Sequence, residues 1–197
     1  CEFLGLPYEE QNIITCHIDN GASITAVQNG ESIDTSMGLT PTEGLMMGTR
    51  VGDVDPGALV YLAKCMNLDA DGLLKLVNKD SGVAGVTELS SDMRDVEDAI
   101  AEGNERAKLA LDMYEYRILK YIGAYTAVLG GVDVIVFTGG VGENQTITRE
   151  RVCKQLAYLG IDFDVEANNC RGKEVLLTRP DSKVKVVVIP TDEELMI

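Results

Sequence analysis

Two short glycine-containing segments carry the residues that could do chemistry. Asp19-Asn20-Gly21-Ala22-Ser23 lies between two β-branched runs, and Thr138-Gly139-Gly140-Val141-Gly142-Glu143-Asn144 follows a third. Glycine admits positive φ and close backbone approach, so such segments can aim N–H groups at an anion, phosphate above all. Taken singly, each reads first as an ordinary turn. His17, the only histidine, lacks a second ligand or a nucleophile to activate and reads as a packed core residue. Arg50 sits in Gly48-Thr49-Arg50-Val51-Gly52-Asp53. Its planar, permanently charged guanidinium suits bidentate contact with a carboxylate or phosphate, or a plain ion pair with Asp53 or Asp55. Asp92 and Arg94, flanking Met93, read as a helix cap and a first-turn charge, and Glu193 as a first-turn acid.

The elements that must position these residues are visible in the patterning. Ile13–Ile18 and Ser23–Val27 are short β-branched runs around Asp19-Asn20-Gly21, which predicts a hairpin. Asn29-Gly30 turns the chain into a third strand over Glu31–Ser36. The stretch from Gly38 to Gly52 is too irregular for a core element. Asp55-Pro56 opens a helix whose apolar side is Leu59, Val60, Leu62 and Ala63. A second helix is predicted over Asp69–Val77, and another after a cap at Ser91 or Asp92, ending at Gly103. From Asn104 to Leu129, Leu111, Tyr114, Ile118, Tyr121, Ile122 and Tyr125 recur at helical spacing and mark a long core-facing helix. Val132–Phe137 is a near-continuous apolar run, predicting a central parallel strand buried on both faces. The Thr138–Asn144 loop, a helix over Thr146–Leu159, strands over Val175–Thr178 and Val184–Ile189, and a final helix from Asp192 complete the order. The whole predicts one α/β unit of 197 residues, with three meander strands extending a parallel sheet and helices on both faces.

A formal net charge of −15 repels nucleic acid and anionic membrane surfaces, while leaving room for a nucleotide held by local donors. No stretch approaches the roughly 20 apolar residues of a membrane span. Five cysteines without a C-x-x-C pair predict free thiols in a reducing, cytoplasmic setting. Cys16 and Cys65 lie in apolar surroundings and read as small core residues. The start at Cys1 and the stop at Ile197, where Asp192-Glu193-Glu194-Leu195 opens a helix, both read as cuts.

His17-Ile18-Asp19-Asn20-Gly21, Met37 to Arg50, Ser91-Asp92-Met93-Arg94, Phe137 to Asn144 and Ile189 to Leu195 resemble segments of the acetate kinase family, in family order. The resemblance covers nearly the whole chain, and the Met37 to Arg50 segment is specific to acetate and propionate kinases. It implies the C-terminal, nucleotide-binding half of a two-domain enzyme with an actin-like, ribonuclease-H-like fold. The implied reaction is reversible phosphoryl transfer from ATP to acetate, giving acetyl phosphate and ADP.

The resemblance further implies Asn20 and Gly21 in a phosphate-binding hairpin, with His17 as a polar contact to phosphate. Arg50 neutralises charge on the acyl carboxylate and the phosphoryl group. Asp92, Met93 and Arg94 pack around the adenosine, Gly140 and Asn144 contact nucleoside and phosphate, and Glu193 associates with Mg²⁺. The partners implied are ATP or ADP, a short-chain carboxylate, the missing N-terminal domain and a second copy in a homodimer. Met46, Met47 and the long helix are expected to offer exposed apolar surface for that dimer. The chain alone is expected to be inactive. A propionate or butyrate kinase, or a non-enzymatic actin-like nucleotide-binding module, are the alternatives. Asp19 stands where the family usually has glycine, which places a carboxylate beside the phosphates, with a left-handed turn as a second expected cost.

Overall fold

The computed structural model describes residues 1–192. They form two compact units: Cys1–Ser36 with the chain from Ile118 onward, and Met37–Arg117. The boundary between Arg117 and Ile118 falls inside one long helix.

The first unit is built on a six-stranded sheet. Strands β1 (Asn12–Ile18) and β2 (Ala22–Gln28) form the expected antiparallel hairpin, with His17 opposite Ser23. β3 (Glu31–Thr35) continues the meander at one edge; it is exposed throughout, and its register with β2 shifts between Ala26 and Val27. β4 (Val134–Thr138) runs parallel to β1 on one side and to β6 (Lys185–Val188) on the other. The two-residue β5 (Val175–Leu176) closes the order β3-β2-β1-β4-β6-β5. Ile14, Cys16, Ile18, Ile135 and Phe137 are essentially inaccessible, as strands covered on both faces require. One cluster joins Ile13, Val27, Val134 and Val187, over which Cys1, Leu4 and Leu6 of the N-terminal segment pack.

The long helix α5 (Glu105–Leu129) follows after four shorter ones, which belong to the second unit. Within the first unit it buries Ile118, Ile122, Tyr125 and Leu129, a stripe at alternating four- and three-residue spacing. Tyr125 packs edge-to-face on Tyr121 and donates to Asp34 of β3.

Two helices follow β4. Thr138–Asn144, expected as a loop, winds Gly139–Asn144 into the short helix α6. The next helix, α7, spans Thr146–Gln155 and gives way to a tight turn at Ala157–Leu159, closed by Gly160 at φ 90°. It therefore stops short of the predicted Leu159. The expected strand Val175–Thr178 is reduced to β5 plus one isolated bridge, Phe163 to Thr178. The helix expected from Asp192 lies outside the described residues.

The second unit contains α1 (Pro56–Cys65), α2 (Ala70–Lys79), α3 (Gly82–Thr87), which the sequence pattern did not reveal, α4 (Met93–Ala101) and the first part of α5. Aspartates start three of these helices: Asp55 accepts from Gly57 N–H, Asp69 from Gly72 N–H and Asp92 from Arg94 N–H, as N-caps do. α1 buries no residue. Its apolar positions 59, 60 and 62 are nearly consecutive and spread round the helix, so Leu59 and Ala63, one turn apart, are half-buried while Val60 and Leu62 stay exposed. Cys65, expected in the core, is exposed at the end of this helix, whereas Cys16 is buried.

The irregular Met37–Asp53 stretch is more deeply embedded than its pattern implied. Leu45, Met46 and Met47 are buried, so the methionines expected to form an exposed dimer surface are core residues of this unit. Backbone bonds replace regular structure: Val51 N–H donates to Val77, Ser81 to Thr49, Val83 to Met47 and Ala84 to Gly48. Gly82, at φ +65°, is where α3 meets this loop, and a Cβ there would lie 2.2 Å from the Met47 carbonyl oxygen. Gly103 has a similar φ of +88° but open space around it. Gly103→Ala is therefore expected to cost about 1 kcal/mol for left-handed backbone alone, and Gly82→Ala about 3 kcal/mol or more because backbone must also move. Denaturant unfolding of the two variants checks this; equal losses would contradict the packing argument.

Candidate functional site

In the first unit, parallel pairing of β1 and β4 brings their C-terminal ends together, with His17 in register with Thr138. The hairpin turn and α6 both begin at this edge. The structure thus brings His17, Asn20, Gly21, Gly140 and Asn144 into one region. His17 is half-buried, and its ring has no hydrogen-bond partner among the described residues.

Asp19 ties the two glycine segments together. One carboxylate oxygen accepts from Asn20 N–H at 2.7 Å, and the other accepts from Gly140 N–H at 3.1 Å, while Asp19 N–H donates to the Gly21 carbonyl. Asp19 does not adopt positive φ, so the expected left-handed cost is absent. A Cβ at position 140 would lie 2.8 Å from an Asp19 oxygen, so the carboxylate would have to turn away to admit a side chain there. Gly139, at φ +80°, would bring a Cβ within 2.9 Å of the Ile18 carbonyl oxygen.

Glu143 was not singled out by sequence, since an acid at the end of a glycine run carries no signal of its own. It is buried, and one oxygen accepts from both Gly139 N–H and Thr191 N–H. It joins the glycine turn to the segment following β6. Asn144 closes the short helix by donating to the Gly140 carbonyl at 2.8 Å. Behind the turn, Arg149 of α7 is fully buried. It donates to the carbonyls of Gly142, Asn168 and Cys170 and to the Asn168 side chain. It lies in a run of polar and charged residues that reads as a solvated helix face, so no local pattern points to it.

In the second unit, Arg50 is half-buried and donates to the Pro41 carbonyl at 3.1 Å, with Met47 sulfur at 3.8 Å. It pairs with neither Asp53 nor Asp55. Asp53 instead bonds Arg117 and the Gly44 N–H, and Asp55 caps α1. Arg50 lines a cleft of about 450 Å³ with Pro41, Leu74, Asn78 and the charged Asp71, Lys75 and Lys79. Lys75 is ion-paired with Asp80 at 3.1 Å, so Arg50 and Lys79 face Asp71 with one positive charge in excess, a modest bias toward an anion in a strongly acidic chain.

Asp92 and Arg94 form a bidentate pair at the start of α4, with distances of 3.0 and 2.6 Å, and Met93 between them in sequence is buried. The side-chain bond from Arg94, and then its backbone N–H, hold the Asp92 carboxyl down to about 2, and Asp92 raises Arg94 in turn. No hydrogen bond among the described residues joins this pair to Arg50. Glu193 lies outside the described residues, which contain no cluster of three His, Cys, Asp or Glu able to hold a metal ion. Nor does any helix among them have the length and apolarity to cross a membrane. Burial pushes the Cys16 and Cys153 thiols well above their usual range, which leaves them neutral packing groups.

The mixed sheet, its meander and its glycine turn define an α/β protein of the actin-like ATPase type. The sequence profile of the Acetokinase family matches residues 1–197, and the chain belongs to that family. An acetate kinase of Porphyromonas gingivalis is 61% identical over 198 residues, covering 100% of this chain and 50% of the relative. The crystal structure of Porphyromonas gingivalis acetate kinase superposes with a TM-score of 0.97 at 60% identity, over 100% of this chain and 49% of that one. A propionate kinase from Francisella tularensis gives a TM-score of 0.89 at 38% identity, over 99% of this chain and 49% of that one. The chain spans about half the length of the curated relatives it matches.

The Asp92–Arg94 pair gives a pH prediction. Because the folded value is depressed, the pair's contribution is complete above the ordinary carboxylate value near 3.9 and is lost as pH falls toward 2. Carbon-detected NMR should find Asp92 titrating near 2, and Arg94→Gln, which removes the guanidinium but keeps the backbone N–H bond, should raise it only part of the way toward about 3.9. An unchanged midpoint in the variant would contradict the assignment to Arg94.

Proposed function

We propose that this chain is the nucleotide-binding half of a two-domain acetate kinase, which transfers the γ-phosphoryl group of ATP reversibly to acetate. The observation that carries the reading is the match of the whole chain to half of each relative, at 61% identity to an acetate kinase. Transfer proceeds by in-line displacement. The acetate oxygen forms the new bond to phosphorus as the bond to the ADP oxygen breaks, and the electron pair leaves with ADP. Such a step asks the protein for position and charge neutralisation more than covalent chemistry.

The β1–β2 hairpin, with Asn20 and Gly21, and the turn bearing Gly140 and Asn144 lie against the nucleotide phosphates, with His17 as a polar contact. Asp92, Met93 and Arg94 border the adenosine. Arg50 stabilises the phosphoryl group and the acyl carboxylate in flight, a role supported by its lack of a carboxylate partner among the described residues and by its place in a weakly cationic cleft. Mg²⁺ arrives with the nucleotide, since a small hard cation is commonly held by substrate phosphates and one or two carboxylates; Glu193 is the carboxylate assigned to it. The N-terminal half completes the site, so this chain alone turns over little. The working protein is a cytoplasmic homodimer.

Propionate is the rival acceptor, and a panel of acetate, propionate and butyrate with the full-length protein decides it. Arg50→Ala in that protein is expected to lower kcat by about 10²-fold or more, with MgADP affinity nearly unchanged. Turnover within a few-fold of the parent would make Arg50 a loop residue. A second test addresses Asp19, whose carboxylate holds amides of both glycine segments. Asp19→Asn removes the charge and keeps the shape, with one of the two acceptors, so that either the Asn20 or the Gly140 amide loses its partner and is freed toward the phosphates. Two charges about 4 Å apart in water repel by about 1 kcal/mol, so ADP should bind about fivefold tighter without Mg²⁺ and show less gain with it. Calorimetry giving equal metal-free affinities would remove the electrostatic argument.

A further inference from the structure

Asn78, near the end of α2, holds both sides of the Arg50 anchor. Its side-chain oxygen accepts from the Thr42 hydroxyl at 2.6 Å, and its backbone carbonyl accepts from the Thr49 hydroxyl at 3.0 Å. Its amide nitrogen donates to the Leu74 carbonyl at 3.0 Å, which turns the oxygen toward Thr42. Thr42 follows Pro41, whose carbonyl receives the Arg50 guanidinium, and Thr49 precedes Arg50 itself. One residue therefore fixes the acceptor of the guanidinium and the backbone that carries it. The neighbouring backbone bonds, Val51 to Val77 and Ser81 to Thr49, hold the loop to the helix but do not reach Thr42.

We infer that Asn78 is the positioning residue for Arg50, setting the guanidinium at the cleft through Thr42 and Thr49. A free arginine side chain would populate many rotamers. Pro41 restrains it only if Pro41 is itself held, and its neighbour Thr42 is tied by a hydroxyl to a helix. Displacing a charge-stabilising group by about 1 Å can lower a rate by about 10²-fold, so the clasp matters to turnover more than to nucleotide binding. The inference rests on the proposed role of Arg50 in phosphoryl transfer.

The test uses Thr42→Val, which removes the hydroxyl at nearly constant shape, Thr42→Ser, which keeps it, Asn78→Ala and Arg50→Ala, all in the full-length protein. Steady-state rates with acetate and MgATP are read beside the rate at which an arginine-directed dicarbonyl modifies Arg50, located by peptide mass spectrometry. Thr42→Val and Asn78→Ala should lower kcat by about tenfold or more, with KM for ATP within about twofold. Arg50 should be modified several-fold faster in both, and Thr42→Ser should behave as the parent in every readout. Turnover in Thr42→Val within about threefold of the parent, while Arg50→Ala collapses, overturns the clasp and leaves the role of Arg50 standing. If Arg50→Ala retains turnover, the phosphoryl-transfer reading fails on its own. The labelling rate then decides the clasp, and an unchanged rate in Thr42→Val overturns it. Should Asn78→Ala fail to fold, Thr42→Val and Thr42→Ser decide between the same two outcomes.

Discussion

A cation sealed from solvent sets the geometry behind the glycine turn. Removing a guanidinium from water costs several kcal/mol even after relaxation, and Arg149 meets this cost with hydrogen bonds alone, having no carboxylate partner among the described residues. Its acceptors are the Gly142 carbonyl in α6 and the main- and side-chain oxygens of the Asn168–Cys170 segment. The Asn168 amide in turn donates to Thr146, at the start of α7. Burial lowers the pKa of Arg149 from a starting value far above neutrality. Because the fork of donors is planar and rigid, three segments are fixed to one another at set angles. Gly139 and Gly140 inherit their positions from that arrangement.

The chain is acidic, and much of its acidity is directed at its own backbone. Asp55, Asp69 and Asp92 cap helices, while Asp19 and Glu143 hold consecutive amides of one turn, those of Gly140 and Gly139. Each carboxylate satisfies donors that secondary structure leaves unmatched. Two of the amides that a glycine turn would offer an anion therefore already have a partner. Asp19 is the more accessible of the two acids and is the one that a bound phosphate would meet.

Where a feature depended on local pattern, the sequence was legible. The β1–β2 hairpin, the meander strand β3, the central β4, the caps at Asp55 and Asp92 and the buried stripe of α5 each follow from alternation, turn residues or helical spacing. β4 begins two residues later than expected, at Val134, Asp69 caps the helix it was expected to belong to, and Tyr121 of the stripe is only half-buried. Features that depend on distant partners were not. The stretch Leu45–Met47 has no regular period, yet it is buried, and the loop it belongs to is tied by backbone bonds to α2 at Val51 and to α3 at Met47 and Gly48. Glycines read as a loop became α6 because side chains of Asp19 and Glu143 organise its first amides. Cys65 shares apolar neighbours with the core cysteines, but its helix turns them outward. Of the candidate site, His17, the hairpin and the Gly140 turn are drawn together by parallel pairing of strands separated by more than a hundred residues, which no local pattern encodes. The grouping came from family resemblance, whereas Glu143, Arg149 and Asn78 emerged only from their contacts.

The exposed meander edge governs what the protein does in a crowded solution. β3 presents a row of backbone groups that could template another strand, but it is five residues long and carries Glu31 and Asp34, and the register shift against β2 interrupts its regular pleat. An identical strand added in register alongside would bring like charges together on a surface only five residues long. At the opposite edge, β5 offers only two residues. A sheet with four well-covered inner strands is thus bounded by edges that resist growth, so the same β-branched sequences that build the core have no route to continuous intermolecular stacking while the fold persists.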